Sequence, residues 1–336
     1  MSQSDASPDV NVRNVLPRDA IPSVDDPTYE PVTDYDGDPD DEVVVVDGEP
    51  ARAYPVRYLH YHEIVNATDS GGRPVAVTWC PLCGSAVVYE RTVAAGDGDE
   101  TRTLTFGVSG KLADDDLVMY DRETDSEWKQ SRGVAIDGPL SGTQLTVVPA
   151  AMTTVERFRD ANPDGELLAP PGGESEAASD TDDPEPIDYD AAPYERYFEM
   201  DGFGLAAHRG TGDGRDWDRD DGIDPKTVVL GLTVADDALG FPLPRVEANG
   251  SVAQTTVGDR DVVVFATPDG IHAFENPGFV FERTVEPGTF VADGTRWDGA
   301  TGEGDDGRSL ERLPSRRLFA FAWQDDHGAD AFYENE

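Results

Sequence analysis

Residues 75–89 read Val75-Ala76-Val77-Thr78-Trp79-Cys80-Pro81-Leu82-Cys83-Gly84-Ser85-Ala86-Val87-Val88-Tyr89. Two β-branched and aromatic runs flank a turn marked by proline and glycine, so one strand enters the turn and another leaves it. That reading separates the stretch from thioredoxin-like sites. There a Trp-Cys-x-x-Cys segment opens a helix whose N-terminus lowers the first thiol's pKa. Here a strand follows, and the segment is instead shaped as a thiolate knuckle. Its turn aims two sulfurs at one point, and Gly84 permits a positive φ.

Short runs of the same kind recur on both sides. Residues 43–46, 103–108, 117–120, 228–233, 261–267 and 317–323 all read as strands bounded by Gly, Asp or Pro. Two short helices are expected in the first half. One has Pro55 in its first turn and runs to about Val65. The other spans 154–161 with Thr153 as its cap. The fold class expected is a β-dominated α+β protein.

An ungapped shift of 187 residues aligns Tyr54-Pro55-Val56 with Phe241-Pro242-Leu243 and Val75-Ala76-Val77 with Val262-Val263-Val264. A shift of 177 aligns Tyr120-Asp121 and Thr124 with Trp297-Asp298 and Thr301. The ordered matches point to two copies of one β-rich module, each a small sheet or barrel. The expected division is an extended acidic arm over 1–40, a first module over 41–168, an acidic flexible linker over 169–192, and a degenerate second copy over 193–336. The linker is rich in Gly, Pro, Ser, Asp and Glu and nearly devoid of apolar residues, so it cannot bury enough surface to fold alone.

Only the first copy carries a candidate chemical site. Thr267 and Gly270 stand where Cys80 and Cys83 stand in the first. A closed structural zinc site takes four ligands, and the chain holds only 2 cysteines, which excludes a zinc ribbon. Histidine is the natural complement. His60 and His62 lie upstream, and on a helix residues two apart point about 200° apart, so one of them reaches an ion and not both. The same two thiols could instead cycle through a disulfide, or pack as inert small hydrophobes.

The remaining signals are bland. Gly107-Val108-Ser109-Gly110-Lys111 lacks the spacing of a phosphate-binding loop and reads as a turn. Asp114-Asp115-Asp116 reads as a solvated acidic loop, since no EF-hand spacing surrounds it. Trp128 reads as core, and His208, His272 and His327 have no ligand partner at a recognisable spacing.

The chain has 69 Asp plus Glu against 26 Lys plus Arg, a formal net charge of −43. The acidity is spread along all 336 residues, and lysine occurs only at 111, 129 and 226. In molar salt the Debye length is roughly 3 Å and carboxylate repulsion is screened. Molar salt is therefore expected to be required for stability. Without a Lys/Arg stripe, nucleic-acid binding is not expected. No apolar run approaches the ~20 residues of a membrane helix, and Met1-Ser2-Gln3-Ser4-Asp5 shows no signal peptide. The expected location is cytoplasmic, with no membrane partner and reduced thiols.

Arg52-Ala53-Tyr54-Pro55, His62-Glu63-Ile64-Val65-Asn66, Cys80-Pro81-Leu82-Cys83-Gly84, Thr105-Phe106-Gly107-Val108-Ser109-Gly110-Lys111 and Met119-Tyr120-Asp121 resemble the motifs of an uncharacterised family, domain of unknown function number 3179. The resemblance runs from about Val43 to the C-terminus, skipping the acidic linker. It implies no established activity. It does place His62, and not His60, inside a motif, and it places Lys111 in another. Many members look exported, and this chain departs from them at its start.

The expected site is thus a thiolate–imidazole metal centre of Cys80, Cys83 and His62, for Zn²⁺ or Cu(I), with an open position. Lys111, Trp79, Glu63 and Tyr120 are expected to line it. The alternatives are a dithiol redox protein using Cys80 and Cys83, with Lys111 lowering one thiol's pKa, and a non-catalytic interaction module.

Overall fold

A computed structural model describes residues 10–95, 100–179, 181, 183–211 and 215–335. Strands dominate and the helices are short, the longest being the eight residues Ala320–His327. The protein is α+β and β-rich, as its sequence pattern implies. Residues 1–9 of the expected arm lie outside the described residues. The rest of the arm is built into the fold: Val12–Asn14 pairs with Phe106–Ala113, Tyr29–Pro31 pairs with Glu166–Leu168, and Ile21, Val24 and Val32 are buried.

The same order of elements occurs in both halves. In the first, strands Glu42–Val46 and Arg52–Pro55 precede helix Val56–His62 and a meander of Ile64–Thr68, Pro74–Cys80 and Ser85–Glu90. In the second, Val228–Val234 and Asp237–Pro242 precede helix Leu243–Ala248 and a meander of Val252–Val257, Arg260–Thr267 and Gly270–Glu275. A closing strand and helix ends each half: Ala151–Thr154 with Val155–Ala161, and Arg316–Phe319 with Ala320–His327. Thr154, one residue later than expected, caps the helix that follows it, its hydroxyl accepting from the Arg157 N–H at 3.3 Å.

The halves do not keep their sheets to themselves. Arg316–Phe319 lies between Val228–Val234 and Ser85–Glu90, so one six-stranded sheet joins strands of both. The Phe319 N–H donates to the Cys83 carbonyl at 2.7 Å. The physical reason lies in the apolar run at 317–323. Its first part continues the sheet; then the chain turns into a helix that buries Phe321 and Trp323. A run of seven residues in which all but Arg317 are apolar does not by itself distinguish strand from helix. The resulting core mixes Cys83, Tyr89 and Trp128 with Val229, Leu318, Phe321 and Trp323.

The described residues of the acidic segment 169–192 are strapped across helix Val56–His62. The Ser175 hydroxyl donates to the Tyr61 carbonyl at 2.9 Å, and the Tyr61 hydroxyl donates to the Asp188 carbonyl at 2.9 Å. Tyr189 packs on Tyr58 and Tyr61. Its apolar content is small, but these few contacts hold it to the first half.

Candidate metal centre

Two hairpins build the site. Pro74–Cys80 pairs with Ser85–Glu90, and Cys80 stands opposite Ser85 at the last rung before the turn. Gly84 takes φ +53°, and a Cβ there would stand 2.7 Å from the Phe319 ring. Glycine is thus required twice, for the left-handed backbone and for the close approach. The second hairpin pairs Phe106–Ala113 with Asp116–Asp121, and Asp114 and Asp115 make its turn at φ 55° and 68°. Asp and Asn tolerate that conformation better than other side chains with a Cβ.

The turns meet. The Cys83 thiol donates to the Asp115 carbonyl at 3.3 Å. The sulfurs of Cys80 and Cys83 and one carboxylate oxygen of Asp116 all lie within 4.8 Å of one another. All three residues are buried. One Asp116 oxygen accepts from the Ser131 N–H at 2.8 Å, while Oδ1 is buried with no hydrogen-bond partner among the described residues. This corrects the reading of Asp114-Asp115-Asp116 as a solvated loop. Asp115 is buried against Arg13, with Arg215 3.8 Å away, and Asp116 is 1% exposed. The sequence reasoning missed Asp116 because three consecutive acids look like solvent. The signal available was its place at the start of an apolar strand, where alternate side chains point inward.

His62 is placed elsewhere. Its Nδ1 lies 2.9 Å from the Pro22 carbonyl and its Nε2 lies 2.7 Å from the Tyr189 hydroxyl, so both ring nitrogens are engaged. His60 faces another way, as helical geometry demands. It packs among Trp79, Tyr194 and Phe198, and burial lowers its pKa to about 4. The helix that carries them runs Val56–His62 and ends at Glu63, which adopts φ 56° and ψ −30°. For a long side chain that is a strained conformation, costing on the order of 1–3 kcal/mol.

Glu63 and Cys80 line a common cavity of about 90 Å³, together with Lys111, Glu176, His208 and Arg209 over an apolar floor. Of the four expected lining residues, Glu63 and Lys111 are there. Trp79 and Tyr120 are not. The Trp79 indole N–H donates to His60 Nδ1 at 3.3 Å, and the Tyr120 hydroxyl donates to Asp19 at 2.6 Å. The Lys111 ammonium pairs with Glu127 at 2.5 Å and is not directed to a sulfur. Glu176 comes from the acidic strap and His208 from helix Gly204–Arg209, two segments whose sequence gave no hint of a site.

Burial governs the electrostatics. It pushes the Cys80 thiol up and the Cys83 thiol well up, with Asp116 adding to both. It raises Asp116 to about 6 against the pull of Lys129, and raises Glu63 to about 8 with help from Glu176 and Asp116. The Glu63 carboxyl makes no hydrogen bond or ion pair with a described residue. The buried cation nearby, Lys129, pairs with Asp326 at 2.8 Å and Asp114 at 3.2 Å. Asp326 comes from the last helix of the second half, and the Ser131 hydroxyl also donates to it, at 2.5 Å. The second half thus reaches into the wall of the site.

The family model for "Protein of unknown function (DUF3179)" matches residues 18–334. The chain belongs to that family. Its extent covers both halves and the acidic strap, so the family unit is the whole joined structure and not one half of it. No curated protein and no solved structure matches the chain. No helix among the described residues is long and apolar enough to cross a membrane.

Proposed function

We propose that this family member binds a transition metal, Zn²⁺ in the first instance, through Cys80, Cys83 and Asp116, with an open position towards the cavity that holds Glu63. One observation carries the reading. Three ligand atoms converge within 4.8 Å, and a buried carboxylate oxygen among the three residues lacks a partner. Tetrahedral zinc with Zn–S bonds of about 2.3 Å wants its ligand atoms roughly 4 Å apart.

Charge supports the same reading. Cys80, Cys83, Asp116 and Glu63 are four buried acidic groups, and Lys129 is already shared with two aspartates. A divalent cation would permit both thiolates and the carboxylate to ionise. Two sulfurs and one hard oxygen suit Zn²⁺ better than Cu(I), which favours an all-soft set. Thiols pushed up by burial, with Lys129 opposing that only in part at Cys83, are poor nucleophiles for disulfide exchange, and this ranks the redox reading second.

The metal would supply a Lewis acid or a bound nucleophile at its open position. The chain's own contribution is Glu63. Burial holds it protonated at neutral pH in the metal-free chain, in a cavity with an apolar floor, so it carries a proton that metal or ligand binding could draw on. Arg209 and Lys111, on the same wall, would orient an anionic ligand.

The test is metal content by mass spectrometry. The chain is purified in molar KCl without oxygen or chelator, beside Cys80→Ser/Cys83→Ser and Asp116→Asn. About one zinc per chain is expected, absent from the double serine variant and bound at least tenfold more weakly by Asp116→Asn. A metal-free chain whose two thiols titrate freely and oxidise reversibly would replace this reading with the redox one.

A further inference from the structure

A second chamber lies where the first half's closing helix meets the second half's meander. It encloses about 210 Å³ and is lined by Thr153, Arg157, His272 and Arg312 together with Asp47 and Glu303. It shares no lining residue with the cavity of the metal centre.

Its polar atoms are conspicuously unmatched. His272 is 2% exposed, and neither ring nitrogen has a hydrogen-bond partner among the described residues. The same holds for the Thr153 hydroxyl and for Arg157 Nε, both buried. Thr154 takes the capping role next door, so the Thr153 hydroxyl is not used as the helix cap. A buried polar group without a partner costs about 1–3 kcal/mol, so three of them around one space call for a common occupant.

The chemistry of that occupant follows from the unmatched atoms. Arg157 Nε, the Thr153 hydroxyl and one nitrogen of His272 are donors. Arg312, 11% exposed, adds a further guanidinium whose Nε lies 3.3 Å from Asp47 and whose Nη2 donates to the Ala300 carbonyl at 2.7 Å. Arg157 also pairs with Asp298, and its Nε, which makes no hydrogen bond among the described residues, lies 3.5 Å from Asp269. Those aspartates neutralise the arginines in part and fix their planes.

We propose that this chamber binds a small oxyanion, a carboxylate or phosphate group, through Arg157, Arg312, Thr153 and His272. In a chain of net charge −43, two guanidiniums and a histidine beside one recess offset part of the repulsion such a ligand meets. Arginine forks match carboxylate and phosphate oxygens in pairs. Burial and the two arginines hold the His272 pKa well below its ordinary value, so the ring is neutral in the free protein. A bound anion would raise that pKa, and binding below neutral pH would take up a proton.

The experiment is calorimetric titration of the full chain with potassium phosphate and, separately, potassium acetate, at constant molar KCl. The ring nitrogens of His272 are followed by NMR. One saturable site per chain is expected, with the His272 resonances shifting along the same isotherm. The arm that binds tighter identifies the oxyanion. Thr153→Val keeps the side-chain shape and should weaken binding about tenfold. His272→Phe should weaken it at least as much, and Cys80→Ser/Cys83→Ser should leave it unchanged. No saturation by 100 mM of either anion, or an isotherm that Thr153→Val does not move, would make the chamber a water-filled gap between the halves and overturn the proposal.

Discussion

The turns at 80–83 and 267–270 occupy the same place in two meanders with the same order of elements, yet their surroundings are opposite. The first carries two buried thiols, and Asp116 from the next hairpin joins them with an unpartnered oxygen. The second is closed by local hydrogen bonds, the Thr267 hydroxyl donating to the Gly270 carbonyl at 3.2 Å. At the shift of 177, Asp116 corresponds to Asp293, which is largely exposed and pairs with Arg308 at 2.7 Å. The helix exits differ too. The first half leaves its helix through Glu63 at φ 56°, whereas the second passes through Gly250 at φ 73° and then Ser251 at φ 64°. A left-handed exit asks for glycine. Where the first half puts a glutamate there, it accepts strain and a buried acid together. Such a pairing of costs marks a functional position more surely than the cysteines alone, because small buried cysteines are ordinary core residues.

Converting the first turn to the second is the strongest way to break this contrast. Cys80→Thr/Cys83→Gly should fold, with its near-ultraviolet dichroism preserved, and its bound zinc should fall from about one per chain to none. A variant that unfolds would mean that the thiols are structural and that the two turns are not comparable.

The next effect concerns proton linkage in the metal-free protein. Glu63 titrates near 8 in the folded chain against an ordinary value near 4.5. An acid so raised keeps its proton in the native state. Its contribution to stability is therefore complete below about pH 4.5 and is lost as pH rises through about 8. The loss should be on the order of 3–5 kcal/mol. Urea unfolding of the chain and of Glu63→Gln at pH 5 and pH 8.5 isolates it as the difference between the two proteins, because the buried His272 and His327, whose pKa values are lowered, change stability in the opposite sense at the acid end of that range in both. An unchanged slope in Glu63→Gln would assign the linkage to other groups.

The smallest effect sharpens the comparison of the helix exits. Glu63→Gly gives the first half the second half's solution. At pH 7 it should stabilise the chain by about 1 kcal/mol, read as a higher urea midpoint, through relief of the left-handed strain and of the buried carboxyl. A loss of stability would show that the Glu63 side chain is there for packing.

The two strands about the Cys-Pro-Leu-Cys turn, the helix after Pro55 and the β-rich class follow from alternation, β-branching and turn residues. These are local properties, and a local code reads them. The thiol pair is legible for the same reason, since one short turn sets both sulfurs. The third ligand candidate is not. His62 lies nearer in sequence, but helix geometry and the strap at 169–192 turn its ring to Pro22 and Tyr189. Asp116 reaches the sulfurs only because a separate hairpin folds across them. The cavity wall needs Glu176 from the strap and His208 from beyond it, and the sheet beneath needs Arg316–Phe319 from the far end of the chain. Sequence by itself determined the two strands about the cysteine turn and where two thiols stand together, because those outcomes depend on neighbours a few residues away; it did not separate strand from helix at 317–323 or strand from turn at 107–111. Tertiary structure alone decided which acids are buried without a counter-charge, because burial is set by what distant segments cover.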